Sequence, residues 1–391
     1  MSPSDDRLAG YHHRRQRRLR SLPRLRSTAT RPDHPVWYVA DELLVVEEDR
    51  RHVERYLTGQ RREVNALGDE EVVPGLRRYF ATGLDVPDTV RTVRGGAPRG
   101  AAVLCPNHVF LGTPFNHGGP CGPPVPAGAA ELAGRPHDED LVSVAIVDTG
   151  VWADSKLPAG YYRPGGVDVE TETDVDNDGL LDGDVGHANF IAGVIVRHAP
   201  QVELSVLKVL DTFGVCTEEQ LVRALGRLDP TVQIVNLSLG GFTEDDLPPV
   251  GMRVALENVL AVPDRVVVAA AGNNGNRTSP FWPAAFAGAG HPWSDRIVAV
   301  AAHDGAAICD WSNAGPWVTL AAHGQDIHST FINHDKFFPS GWAEWSGTSF
   351  ATPRVVAEIA GHVAAGRSPV AALRQVVGTA GSTFDGYIGL P

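Results

Sequence analysis

Two stretches of the chain are apolar without alternation: Leu141-Val142-Ser143-Val144-Ala145-Ile146-Val147 and Val266-Val267-Val268-Ala269-Ala270-Ala271. Runs this short and this rich in β-branched residues predict strands buried on both faces, the pattern of a parallel sheet covered by helices. A third, mostly apolar stretch from Val355 to Ala365 follows Pro353 and predicts a buried helix. Earlier in the chain the pattern is patchier. Residues 36–39 and 43–46 predict strands, 49–58 a short helix with Val53 and Leu57 inward, and 72–73 and 90–93 further strands. The expected organisation is therefore a small α/β domain over 34–100, a glycine- and proline-rich linker or arm over 101–140, and a three-layer α/β/α domain with a mostly parallel sheet over 141–391.

Composition agrees with one large domain and an extension: the chain has 391 residues, of which 43% are apolar. Its net charge of −13 is uneven. Nine arginines against Asp5 and Asp6 give the first 31 residues +7, and the rest carries −20. An acidic body argues against nucleic-acid binding by the large domain. The basic stretch, including Arg14, Arg15, Arg17 and Arg18, has no apolar segment behind it as an export signal requires, so residues 1–33 are expected to form a solvated, disordered tail. No apolar run approaches the length of a membrane span. Without a recognisable signal peptide the expected location is the cytoplasm, or outside the cell if the start site is misplaced.

The chemistry is carried by four polar residues at the edges of apolar elements. Asp148 ends the first buried run, where a carboxylate is held and partly desolvated. His187 opens an apolar helix 39 residues later. Ser349 lies in Gly347-Thr348-Ser349-Phe350-Ala351-Thr352-Pro353, where Gly347 suits a tight turn and Pro353 suits a first helical turn. Asn273 follows the second buried run and offers an amide donor for an oxyanion. Taken singly, each has an ordinary structural reading as a cap, a turn residue or a buried histidine. Together, Asp, His and Ser occur in one of the chain orders known for a serine triad.

These segments resemble the subtilisin-like serine peptidases, or subtilases. The matching motifs are Ala145 to Gly150, His187 to Gly193, Asn273, and Gly347 to Pro353. The resemblance implies a subtilisin-like fold and a serine endopeptidase acting on polypeptide substrates without a required cofactor. It also implies that Ser238, Leu239 and Gly240 pair with substrate backbone, and that Ala270 and Gly272 wall the primary pocket with Phe281 near its floor. The small domain over 34–100 stands where many subtilases carry an inhibitory prodomain; a permanently attached regulatory domain is the other reading. No G-x-S-x-G elbow is present, against an α/β-hydrolase, and Asn273 argues against the related sedolisins. One departure matters: the family's usual H-G-T-H becomes His187-Ala188-Asn189-Phe190, which leaves a catalytically impaired binding or regulatory protein as the alternative.

Two candidate metal sites remain. Asp174, Asp176, Asp178 and Asp182 follow the alternating pattern of a calcium loop, with Gly179 at the turn; the twelfth position is Val185 where a glutamate is expected. A structural calcium is one reading and a solvated acidic turn the other. Cys105, His108, His117 and Cys121 have zinc-knuckle-like spacing, but their two thiols are equally compatible with a disulfide or with reduced cysteines.

Overall fold

The computed structural model describes residues 3–28, 35–59, 68–95, 103–112, 122–132, 134–135 and 140–391. The N-terminal part contains α1 (Pro3–Ser21), β1 (Leu25–Ser27), β2 (Trp37–Val46), α2 (Arg50–Gly59), β3 (Gly68–Val73), β4 (Leu76–Phe80), α3 (Val86–Gly95) and β5 (Leu104–Gly112). β5, β2, β4 and β3 lie in that order in an antiparallel sheet, and β1 pairs with β2. Successive strand residues face opposite ways. Leu43 and Val45 therefore join Val53 and Leu57 of α2 and Val86, Val90 and Val93 of α3 in one core, while Leu44 and Val46 face the larger body.

The larger body begins with β6 (Val125–Pro126), β7 (Val142–Asp148), β8 (Tyr162–Val167), α4 (His187–His198), β9 (Val202–Lys208), β10 (Val215–Thr217) and α5 (Glu218–Leu225). It continues through β11 (Ile234–Leu237), β12 (Leu239–Gly240), α6 (Val250–Leu260), β13 (Val266–Ala270), β14 (Ile297–His303), β15 (Leu320–His323), β16 (Ile327–Thr330) and β17 (Trp342–Trp345). It ends with α7 (Thr348–Ala364), α8 (Pro369–Thr379), β18 (Ser382–Phe384) and β19 (Tyr387–Gly389). The main sheet has the order β18-β19-β15-β14-β13-β11-β7-β9-β8 and is parallel from β8 to β19, with β18 returning antiparallel. Val142, Val144 and Ile146 pack towards α4, α7 and α8; Ala145 and Val147 pack towards α5 and α6. This is the expected three-layer domain. Because β7, β11 and β13 are parallel neighbours, Asp148, Ser238 and Asn273 emerge side by side at their C-terminal ends.

Several expectations need correction. Residues 3–21 are not a disordered tail: they form α1, whose Arg15 and Leu19 are buried. Nor is 101–140 simply a linker, since 104–112 is the buried strand β5. The two expected strands, 36–39 and 43–46, are one strand from Trp37 to Val46, bent at Asp41 with φ 66°. The 90–93 segment lies in a helix, because Val86, Val90 and Val93 share a helical face.

Most consequential for the site is the course of β5. Its first half pairs with β2, and its second half threads between two short strands of the larger body. Leu111 lies opposite Val215 of β10 on one side and Gly240 of β12 on the other, and Gly112 lies opposite Leu239.

Candidate active site

Asp148 is the last residue of β7 and fully buried. Its Oδ1 accepts the Thr149 N–H at 2.7 Å and lies 2.7 Å from Nδ1 of His187, the first residue of α4. The turn before His187 is made by Gly186, whose φ is 77°. A methyl group there would come within 2.6 Å of the Phe331 ring, so glycine is required both by conformation and by space. The Thr149 hydroxyl accepts the N–H of Ala188, stitching the two segments together. Burial alone lowers the pKa of His187; the Asp148 carboxylate outweighs it, and the net direction is upward.

The departures at 189 and 190 have physical explanations. Asn189 exchanges two hydrogen bonds with the backbone of Trp152, 2.9 and 3.0 Å, tying α4 to the loop after Asp148. Phe190 is fully buried against Phe350, Trp345 and Phe331. Trp345 and Phe350 in turn each lie 5.3 Å from the His187 ring. The histidine thus has an aromatic seat in place of a polar neighbour.

Ser349 is the second residue of α7 and is buried. Its hydroxyl donates to the Ser238 carbonyl at 3.3 Å, while Nε2 of His187 has no hydrogen-bond partner among the described residues. Two details of the serine turn differ from expectation. Gly347 is extended, with φ 165°, and a Cβ there would make only ordinary contacts, so no special backbone angle is involved. Pro353 is the sixth residue of α7 and not in its first turn. Its missing N–H leaves the carbonyl of Ser349, four residues back, without a helical donor, and the Ser238 hydroxyl supplies one at 3.0 Å.

Asn273 is held by its oxygen. Oδ1 accepts both the N–H and the hydroxyl of Thr348, at 2.9 and 2.7 Å, so Nδ2 is the side of the amide turned away from Thr348. Asn313, which carries no local sequence signal, braces this loop: its Oδ1 accepts the N–H groups of Asn274 and Asn276, and its Nδ2 donates to Ala271.

The segment Ser238-Leu239-Gly240 is paired with β5, as described. Phe281 lies between the two expected pocket walls. A Cβ at Gly240 or Gly272 would meet its ring at 2.4 or 2.9 Å, and Phe242 packs edge-on against it. Ala270, at the end of β13, is fully buried.

The acidic loop is only partly as expected. Oxygens of Asp174, Asp176 and Asp178 gather within 4.8 Å of one another, but Asp182 is not among them. Asp182 turns inward to accept the Thr212 hydroxyl at 2.5 Å and the Val175 N–H at 2.9 Å, because its place in the loop is buried. Asp174 accepts the N–H groups of Asp178 and Gly179, and Arg17 of α1 pairs with both Asp176 and Asp178, at 2.9 and 3.6 Å. The arginine thus supplies positive charge where a cation was expected. Of the zinc candidates, Cys105 and His108 meet a different partner: Glu218 accepts from both, and Cys105 is a free, buried thiol. His117 and Cys121 lie outside the described residues.

Comparison with known proteins follows the same lines. Residues 139–378 match the sequence pattern of the subtilase family. The chain is 34% identical over 238 residues to thermitase of Thermoactinomyces vulgaris, covering 58% of this chain and 76% of thermitase. It is 30% identical over 250 residues to a thermophilic serine proteinase of Bacillus sp. strain AK1, covering 60% of this chain and 55% of that one. In fold it resembles the crystal structure of fervidolysin from Fervidobacterium pennivorans, with TM-score 0.59 and 18% identity, over 90% of this chain and 60% of that one.

Proposed function

The chain belongs to the subtilase family and is a subtilisin-like serine endopeptidase; from that premise we propose the roles of its individual residues. Ser349 is the nucleophile, His187 its general base, Asp148 the group that fixes the histidine tautomer, and Asn273 an oxyanion donor together with the Ser349 N–H. The observation that carries this reading is the buried 2.7 Å contact between Asp148 and His187 Nδ1. It leaves Nε2 as the working nitrogen, and the histidine ring packs on Phe350, the residue after Ser349.

The reaction is acyl transfer. As the Ser349 Oγ bonds to the peptide carbonyl carbon, its proton moves to His187 Nε2 and the carbonyl oxygen becomes an oxyanion. The Asn273 Nδ2–H and the Ser349 N–H bind that oxygen. When the intermediate collapses, the C–N bond breaks and the leaving amine takes the proton from His187. Water then repeats the sequence on the acyl-enzyme, again through His187. The chain itself supplies every group these steps use. A calcium ion at Asp174, Asp176 and Asp178 would have to displace Arg17, and its role would be structural.

The N-terminal domain is read as self-inhibitory, because β5 pairs with the edge expected to hold substrate. The Phe281 ring between Gly240 and Gly272 supports a shallow, uncharged primary pocket suited to small or medium apolar side chains. A fluorophosphonate probe tests the assignment. It should label the wild type and not Ser349→Ala; equal labelling of both would refute the nucleophile.

A further inference from the structure

Arg15 is 1% exposed, on a helix that the sequence presents as a solvated basic stretch. Its Nη2 donates to the carbonyl of Gly112 at 2.7 Å and to that of Gly214 at 3.1 Å, and meets the fully buried carboxylate of Asp184 at 3.1 Å. Gly112 is the last residue of β5, and its own N–H donates to Gly214 at 2.7 Å. Asp184 belongs to the turn into α4, where its carbonyl accepts the His187 N–H. One guanidinium therefore joins the end of the strand in the groove, the turn before β10, and the approach to the catalytic histidine.

The surrounding backbone is shaped around this ion pair. A Cβ at Gly214 would fall 1.5 Å from Asp184 Oδ2, and one at Gly112 would fall 2.6 Å from the same atom. Around it, Leu19 of α1 shares a small core with Val109 of β5, Phe213 and Val215. Arg18 reaches Asp211 at 3.1 Å, and Arg14 and Arg17 pair with the acidic loop. The outer pairs are partly open to solvent and weak, whereas the Arg15–Asp184 pair is sealed from it, and breaking a buried pair is costly.

We propose that α1 is a clamp that holds β5 in the groove, so that inhibition depends on the basic helix as well as on the strand. This rests on reading β5 as the occupant of the substrate edge. If α1 leaves, Asp184 loses the Arg15 guanidinium and Gly112 loses the Arg15 donor on its carbonyl. The end of β5 is then free to lift from β10 and β12. An acidic partner that competes for the arginines, or a protease that cuts after α1, would release it.

The test uses the intact chain. Fluorophosphonate labelling of Ser349 is timed by intact mass, so that only uncut chains are counted. Arg15→Ala should label faster than wild type by about tenfold or more, because the buried guanidinium that joins Gly112, Gly214 and Asp184 is removed. A second route avoids any folding defect: a site for an unrelated protease is inserted after Ser21 and cut once the folded protein is pure, and dilution should then speed labelling while added 1–21 peptide slows it again. Phe110→Asp perturbs β5 directly and should also speed labelling. If Phe110→Asp accelerates labelling and neither Arg15→Ala nor the cut chain does, β5 stays seated unaided and the clamp is wrong. If all of them label at the wild-type rate and melt like the wild type, β5 is not the occupant and the clamp falls with it.

Discussion

Replacing Asp182 by asparagine should stabilise the protein at neutral pH. Burial lifts the Asp182 carboxyl from 3.8 to about 6, and the nearby Asp176 and Asp174 carboxylates add to the rise against the lowering effect of the Thr212 and Val175 hydrogen bonds. Between these two values the folded chain keeps a proton that the unfolded chain has lost, so stability falls as pH rises from about 4 to 6. The full difference corresponds to about 3 kcal/mol, an upper value for one ionisable group. Asparagine retains an oxygen that can accept from Thr212 and Val175 and has no proton to lose. Urea melts of Asp182→Asn and its parent, both in a Ser349→Ala background to prevent self-digestion, would measure it at pH 4 and pH 7.5. The variant should match its parent near pH 4 and exceed it by up to about 3 kcal/mol at pH 7.5. Taking the difference of differences removes the other titrating groups, provided they lie far from this site. An asparagine variant less stable than its parent at pH 7.5, or one whose advantage is the same at both pH values, would refute the reasoning.

His187 shifts in the same direction: the Asp148 carboxylate outweighs the lowering effect of burial, so the loss of its proton to give the neutral base is centred above the ordinary value of 6.5. The alkaline-rising limb of peptide hydrolysis should therefore be centred above that value, and the pair's contribution to stability is present below it and lost as pH rises through the folded-state pKa; a limb centred below 6.5 would contradict the upward shift. Ser349→Ala, His187→Ala and Asp148→Asn should each remove nearly all hydrolysis, with any pair costing little more than the worst single, since they act as one unit; additive losses in kcat would speak against the triad. Asn273→Ala should lower turnover by about 10²–10³, a magnitude carried over from the same kind of donor in subtilisin itself, with KM little changed. Phe281→Gly should admit larger side chains before the cleaved bond in a peptide library, and a wild-type preference for arginine or lysine there would exclude an uncharged pocket.

What the sequence revealed follows from the range of the interactions involved. The strand ending in Asp148 is legible because burial on both faces leaves a continuous apolar run, and the order of Asp148, His187 and Ser349 needs no three-dimensional information. The substitution at Phe190 is visible, but its aromatic seat is not, since Phe331, Trp345 and Phe350 reach it from far along the chain. The helix α1 is illegible for a related reason. It is held mainly by charges whose partners lie 159 to 193 residues away, and a face that meets carboxylates shows none of the apolar period of a buried helix. The strand β5 hides among glycines and prolines, with partners on three separate segments. Pro353 misleads locally, because the hydroxyl that replaces its missing donation comes from Ser238.

The threading of β5 between β10 and β12 also bears on how the protein can be produced. A chain that begins after residue 126 would have two short strands with bare N–H and C=O rows facing each other, and α5 and α6 would have lost the covering of Leu44, Val46, Leu76 and Phe110. Open strand edges beside an uncovered apolar face invite pairing between molecules. The truncated body should therefore collect in inclusion bodies when made alone, and supplying residues 1–126 as a separate polypeptide during refolding should return it to solution.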